Sequence, residues 1–246
     1  MAAETGGETC ESSTYFQHSY SVLHSVPRNV CQGLAEIHSG HAGESARRLV
    51  YIPIIHTLAD MGTLGVAVRG MKLSALGRQG VARNAAVVEK MWAQIESVVA
   101  RLPVPPGSTR VYQDGLPVCR HEQEIVSELA GTGSRNHRVL LELQARGATL
   151  MGTESPELLL QEYQLAAAAF ASGGTVRTAT RQKQLRDALL EKRDRYIAER
   201  INRTLAAGET GILFMGMLHE VAAYLDSDIA VTYPLGPSRA RHARRA

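Results

Sequence analysis

Four short apolar runs in this 246-residue chain lead into side chains that can do acid–base or metal chemistry. Leu49 to Ile55 is followed by His56, with Asp60 four residues further on. Arg110 to Gln113 ends in Asp114, and Ala148 to Gly152 leads to Glu154. Gly211 to Met215 leads through Gly216, Met217 and Leu218 to His219 and Glu220. Runs this short, bounded by glycine or proline, read as buried strands rather than helices. Ligands of open α/β sheets bind outside the carboxyl ends of the strands. If these strands are parallel neighbours, two imidazoles and two carboxylates share one rim, with Asp60 as a spare carboxylate. The plain alternative for each histidine is a satisfied residue in a strand–helix turn.

Two chemistries suit such a set. Imidazole nitrogens mixed with carboxylate oxygens favour one divalent transition metal, Mn, Co, Fe or Zn over Mg or Ca, with His56, His219, Asp114 and Glu154 as ligands. A metal held there can generate hydroxide at neutral pH and polarise a carbonyl. In the metal-free form one histidine takes a proton from water, a carboxylate orients it, and Arg193 stabilises the developing oxyanion. Either form makes His56, His219, Asp114, Glu154 and Arg193 the catalytic candidates of a hydrolase acting on an ester or amide bond of a small molecule or peptide. The chain has no G-x-S-x-G, H-E-x-x-H, P-loop or G-x-G-x-x-G motif, so the serine-hydrolase, zincin and nucleotide-binding classes lose their usual support. The other reading is a non-catalytic binding or regulatory protein on the same scaffold. Low aromatic content, 5%, offers little for a large hydrophobic substrate pocket and favours that alternative.

The elements that must carry these residues are helices between the strands. Val88, Met91, Trp92, Ile95, Val98, Val99 and Leu102 recur at three- and four-residue steps, an apolar stripe that lies on a sheet, and Pro103, Pro105 and Pro106 end it. Asp114-Gly115-Leu116-Pro117 is a turn, with helical stretches at about 120–130 and 136–146 behind it. Ser155-Pro156-Glu157 starts a helix running to about Ala171 on Leu159, Tyr163, Ala166 and Phe170, and Ser172-Gly173-Gly174 reads as a hinge or loop. A helix from about Gln182 to Ala207 carries Leu185, Leu189, Arg193, Ile197, Ile201 and Leu205 at four-residue steps. Arginine on that stripe needs a carboxylate or anionic ligand if buried; alternatively, drift of the stripe leaves it in solvent. A last strand follows at Ile229 to Tyr233.

Composition fits one α/β domain over 47–235, a mostly parallel or mixed central sheet flanked by helices: 44% of the chain is hydrophobic and 21% charged, enough for a sizeable core. Residues 1–46 read as a loose polar arm with one short helix near Val30 to Ile37, its four histidines (His18, His24, His38, His41) lacking ligand spacing. Net charge is +3, but −1 without Arg239, Arg241, Arg244 and Arg245, so basic character belongs to a tail over 236–246 and nucleic acid is not an expected partner of the body. Cys10, Cys31 and Cys119 form no disulfide or zinc pattern and read as reduced thiols. No run is long enough to span a membrane, and the acidic N-terminus is unlike a signal peptide. A cytoplasmic protein is expected; its oligomeric state is not legible.

The order of these parts resembles the TraB/Tiki-like group, within the wider set that holds erythromycin esterases and ChaN-like proteins. Gly216-Met217-Leu218-His219 is similar to that group's late G-x-x-H, and Arg193 to Ile201 resembles its Arg-Asp helix. Ile54-Ile55-His56 resembles the early motif, with Pro53 where glycine is expected, and Asp114 stands at the place of an acid, often glutamate. The resemblance spans 49–233 and is concentrated in 190–220. It implies an α/β scaffold whose members include metal-dependent peptidases and metal-independent esterases.

Overall fold

A computed structural model of the chain describes residues 46–57, 60, 64–171 and 176–236. The expected polar arm, the Ser172–Gly174 hinge and nearly all of the basic tail lie outside those residues. Among the described residues, five strands and five α-helices follow in the order β1 (Arg47–Ile54), α1 (Leu64–Arg101), β2 (Thr109–Gln113), α2 (Glu122–Gly131), α3 (Arg135–Ala145), β3 (Thr149–Met151), α4 (Pro156–Ala171), α5 (Val176–Thr204), β4 (Thr210–Gly216) and β5 (Ile229–Thr232). The sheet has the order β3-β2-β4-β1-β5, and every pairing is parallel. The mostly parallel sheet read from the sequence is therefore fully parallel.

Parallel strands are covered on both faces, which is why these runs are continuously apolar and not alternating. Ile52, Ile54, Val111, Ile212 and Phe214 pack with Trp92, Ile95 and Val99 of α1 and Val139, Leu140 and Leu143 of α3. Their strand neighbours Leu49, Tyr51, Tyr112, Leu213 and Met215 pack on the other face with Ile197, Ile201 and Leu205 of α5. Helix α1 is broken by Gly77, whose φ of 64° only glycine adopts readily. At the start of α4, the Ser155 hydroxyl accepts from the Leu158 amide and Pro156 is the first helical residue, as the Ser-Pro-Glu signature predicts.

The α5 stripe holds from Leu189 to Leu205 and fails at its first member: Leu185 is 47% exposed. Each four-residue step overshoots a full turn by roughly 40° on a 3.6-residue helix, and the error accumulates towards the N-terminal end. Pro53 is accommodated because the β1–β5 pairing stops at Val50, leaving β1 locally an edge where a strand admits proline.

Gly152, just before the rim, is a close-approach glycine. A Cβ there would stand 2.5 Å from Glu122 Oε1 and 2.9 Å from Val118 Cα. Gly152→Ala should therefore cost about 1–3 kcal/mol of stability. Gly131→Ala, whose added Cβ would meet nothing within 4 Å beyond its own chain neighbours and helix backbone, should cost nothing measurable in the same thermal-unfolding experiment.

Candidate functional site

Register brings the strand ends level: Ile54 pairs with Gly216, Gln113 with Phe214, and Tyr112 with Met151. All four strand-end candidates consequently meet at the carboxyl rim, and Arg193 reaches them from α5. Each is at most 3% exposed.

Asp114 is the centre. Its Oδ2 lies 2.9 Å from His56 Nε2 and 3.6 Å from His219 Nε2, and accepts from the Gly216 amide at 3.0 Å. Its Oδ1 accepts from Arg193 Nη2 at 3.0 Å. The Gly216-x-x-His219 spacing has a local cause: the His219 amide donates back to the Gly216 carbonyl at 3.1 Å, closing a turn that folds the imidazole over the strand end.

Glu154 forms a two-point pair with the same arginine, Arg193 Nε to Oε2 at 2.7 Å and Nη2 to Oε1 at 2.5 Å. Its Oε1 also accepts from the Gly115 amide at 2.7 Å, in a turn where Gly115 has φ 75°. The third carboxylate on Arg193 is Glu162 of α4, 2.6 Å from Nη1. The sequence reading missed Glu162, although it falls on the α4 stripe with Leu159, Tyr163 and Ala166, where an acid is as anomalous as arginine on α5.

The second residue missed is Asp194. Its Oδ1 lies 2.5 Å from His219 Nδ1 and its Oδ2 accepts from the Glu220 amide at 2.9 Å. The signal available was its adjacency to Arg193 in the Arg-Asp pair. Asp60, the spare carboxylate, makes no hydrogen bond to Asp114 or Glu154. It binds Thr57 and Ser134.

Each histidine thus gives one ring N–H to a carboxylate: His56 through Nε2 to Asp114, His219 through Nδ1 to Asp194. The remaining nitrogens, His56 Nδ1 and His219 Nε2, are buried and have no hydrogen-bond partner. The donor set does not fit a metal. Both oxygens of Glu154 and Oδ1 of Asp114 are taken up by the guanidinium, which already supplies the positive charge between the carboxylates. Asp114 Oδ2 is shared by a backbone N–H and an imidazole. Among the described residues, no group of three or more His, Cys, Asp or Glu side chains is arranged to hold a metal ion.

Electrostatics follow from this geometry. Burial alone would lower the pKa of His56 and His219, but the Asp114 charge, helped by the hydrogen bonds to Asp114 and Asp194, outweighs it and raises both above 6.5. Burial would raise Asp114, yet the charges of His219, His56 and Arg193 hold it well below 3.8. Glu162 is pushed up to about 7, since its desolvation exceeds the attraction of Arg193.

An imidazole with a higher pKa folded than unfolded contributes its stability in full below its unfolded value, near 6.5, and loses it as pH rises through the folded value. A buried acid raised to about 7 acts in the same direction, because the folded chain keeps a proton that the unfolded chain sheds. Asp114 acts oppositely, contributing above 3.8 and losing that contribution as pH falls through its depressed value. The melting temperature should therefore peak on the acid side of neutral and fall as pH rises through neutrality. His56→Gln and His219→Gln should each flatten that fall.

No protein-family profile, no curated protein and no solved structure matches the chain.

Proposed function

We propose that the chain is a metal-free hydrolase of ester or amide bonds in a small molecule or peptide, related to the TraB/Tiki-like group. The observation that carries this reading is the pair of Asp–His dyads, Asp114–His56 and Asp194–His219, each leaving one imidazole nitrogen without a hydrogen bond at the strand C-terminal rim, that of His219 lying 3.6 Å from Asp114 Oδ2. A carboxylate that takes one ring N–H fixes the tautomer and leaves the other nitrogen as the base. In the reaction, a neutral imidazole takes a proton from water as the oxygen attacks the carbonyl carbon. The tetrahedral intermediate then collapses, and the imidazolium returns the proton to the departing alcohol or amine. The second, charged histidine faces the oxyanion.

Arg193 has a different part from the one its sequence position suggests. Four of its five N–H groups are held by Glu154, Asp114 and Glu162, so it fixes the carboxylates and leaves the oxyanion to an imidazolium. A substrate nearing the rim meets Met217 and Leu218, 36% and 40% exposed beside His219. Among the described residues no helix is long and apolar enough to cross a membrane.

A panel of nitrophenyl esters and fluorogenic peptides tests the reading. Turnover should survive exhaustive chelation and be lost in His219→Ala, by about 10²–10⁴-fold for a general base. Loss on chelation and recovery with Mn, Co, Fe or Zn would overturn the metal-free form. The deep burial of both histidines favours a second reading, a non-catalytic binding protein with a polar core. Silence across the panel, with or without added divalent metal, would select it.

A further inference from the structure

Next to the rim lies a second polar cluster that the proposed reaction does not use. Asp60, Ser134, Asn136 and His137 are each fully buried. Ser134 caps α3, its hydroxyl accepting from the His137 amide at 3.2 Å. The same hydroxyl donates to Asp60 Oδ1 and lies 2.7 Å from His137 Nδ1. A hydroxyl has one proton, so if it goes to Asp60 the imidazole must supply the next one. The chain then runs in a single direction: His137 Nδ1–H to Ser134 Oγ, and Ser134 O–H to Asp60.

The other oxygen of Asp60 turns towards β1. Oδ2 accepts from the Thr57 amide at 2.5 Å and from the Thr57 hydroxyl at 2.9 Å, while the Asp60 amide donates back to the Thr57 carbonyl at 3.1 Å. Thr57 directly follows His56. On the preceding side, Trp92 Nε1 of α1 donates to the Ile55 carbonyl at 3.2 Å. His56 is therefore gripped before and behind in the chain, and its ring is set against Asp114.

We propose that Asp60, anchored to the start of α3 through Ser134 and His137, is the positioning residue for His56, clamping the Thr57 turn so that the imidazole keeps its place on Asp114. His219 needs no such clamp, because Asp194 holds both its ring and the amide of the residue after it. For His56 those two tasks are divided: Asp114 holds the ring, and Asp60 holds the following amide. A carboxylate buried without contact to Asp114 or Glu154 thereby acquires a task. The inference rests on His56 being a working residue of the site, but its test does not depend on turnover.

The test is imidazole NMR on the full chain with ¹⁵N-labelled histidine, the His56 and His219 ring signals being assigned with His56→Gln and His219→Gln. In Asp60→Asn and Ser134→Ala the His56 ring signals should move by more than a linewidth while those of His219 stay in place. Ser134→Thr, which keeps the hydroxyl and the cap, should restore the wild-type His56 signals. If either disruptive variant does not fold, Thr57→Val removes one bond to Asp60 and should give a smaller shift of the same kind. Unchanged His56 signals in the folded variants, or equal movement of both histidines, would overturn the clamp. A failure of the hydrolase reading would instead appear as silence in the substrate panel with the NMR result intact.

Discussion

Arg193→Ala should lower the thermal midpoint by roughly 6–20 °C, taking about 3–5 kcal/mol for a broken buried pair and 2–4 °C per kcal/mol at this chain length. Arg193 is 1% exposed, and its loss strands Glu154 and Asp114 in the interior with backbone amides and imidazoles as their remaining partners. Glu162 suffers least: pushed up to about 7, it can take a proton and shed its charge, so the penalty should grow as pH rises above neutral. Arg193→Lys keeps a cation but cannot reproduce the planar fork on Glu154, and should recover only part of the loss. Arg195→Ala is the control two residues away, where the side chain is in solvent with Glu191 and Tyr224 and little should change. Equal, small effects from both alanine changes would mean that the buried pairings contribute nothing net.

Much of this site could be read from the chain because its residues break local patterns. Four apolar runs too short for helices each led to a His, Asp or Glu, and parallel pairing needs only aligned ends to gather them. Arg193 was legible as the one cation on an apolar stripe. Whether it was buried was not, because a four-residue rule drifts; the drift exposed Leu185 and spared the positions nearer the rim. Asp194 and Glu162 escaped because their task is tertiary. Asp194 meets His219 across 25 residues, and Glu162 meets Arg193 across 31, distances that no spacing rule covers. The metal expectation failed to fit for a related reason. The residue types suit a divalent cation, but only the fold reveals that a guanidinium stands between the carboxylates.

Asp114→Asn should have the largest effect on chemistry, because that carboxylate serves both histidines. The amide is nearly the same shape, yet neither orientation suits it. Its NH₂ must face either Arg193 Nη2 or the His56 ring and Gly216 amide, so one donor is always set against another. Loss of the charge also removes the largest influence raising both imidazoles above 6.5, leaving His219 only its bond to Asp194. On the substrate that turns over, kcat should fall by about 10²–10⁴-fold. The rising limb of its pH profile should move to lower pH, since a histidine no longer facing an anion gives up its proton more easily. Asp194→Asn supplies the comparison, since Asp194 touches His219 and leaves His56 alone. If His56 is the base, Asp194→Asn should leave the limb nearly where it was and lower kcat through the second histidine. If His219 is the base, both asparagine variants should shift the limb. A folded Asp114→Asn enzyme with the wild-type rate and an unmoved limb would remove Asp114 from the reaction, and with it the case for paired dyads.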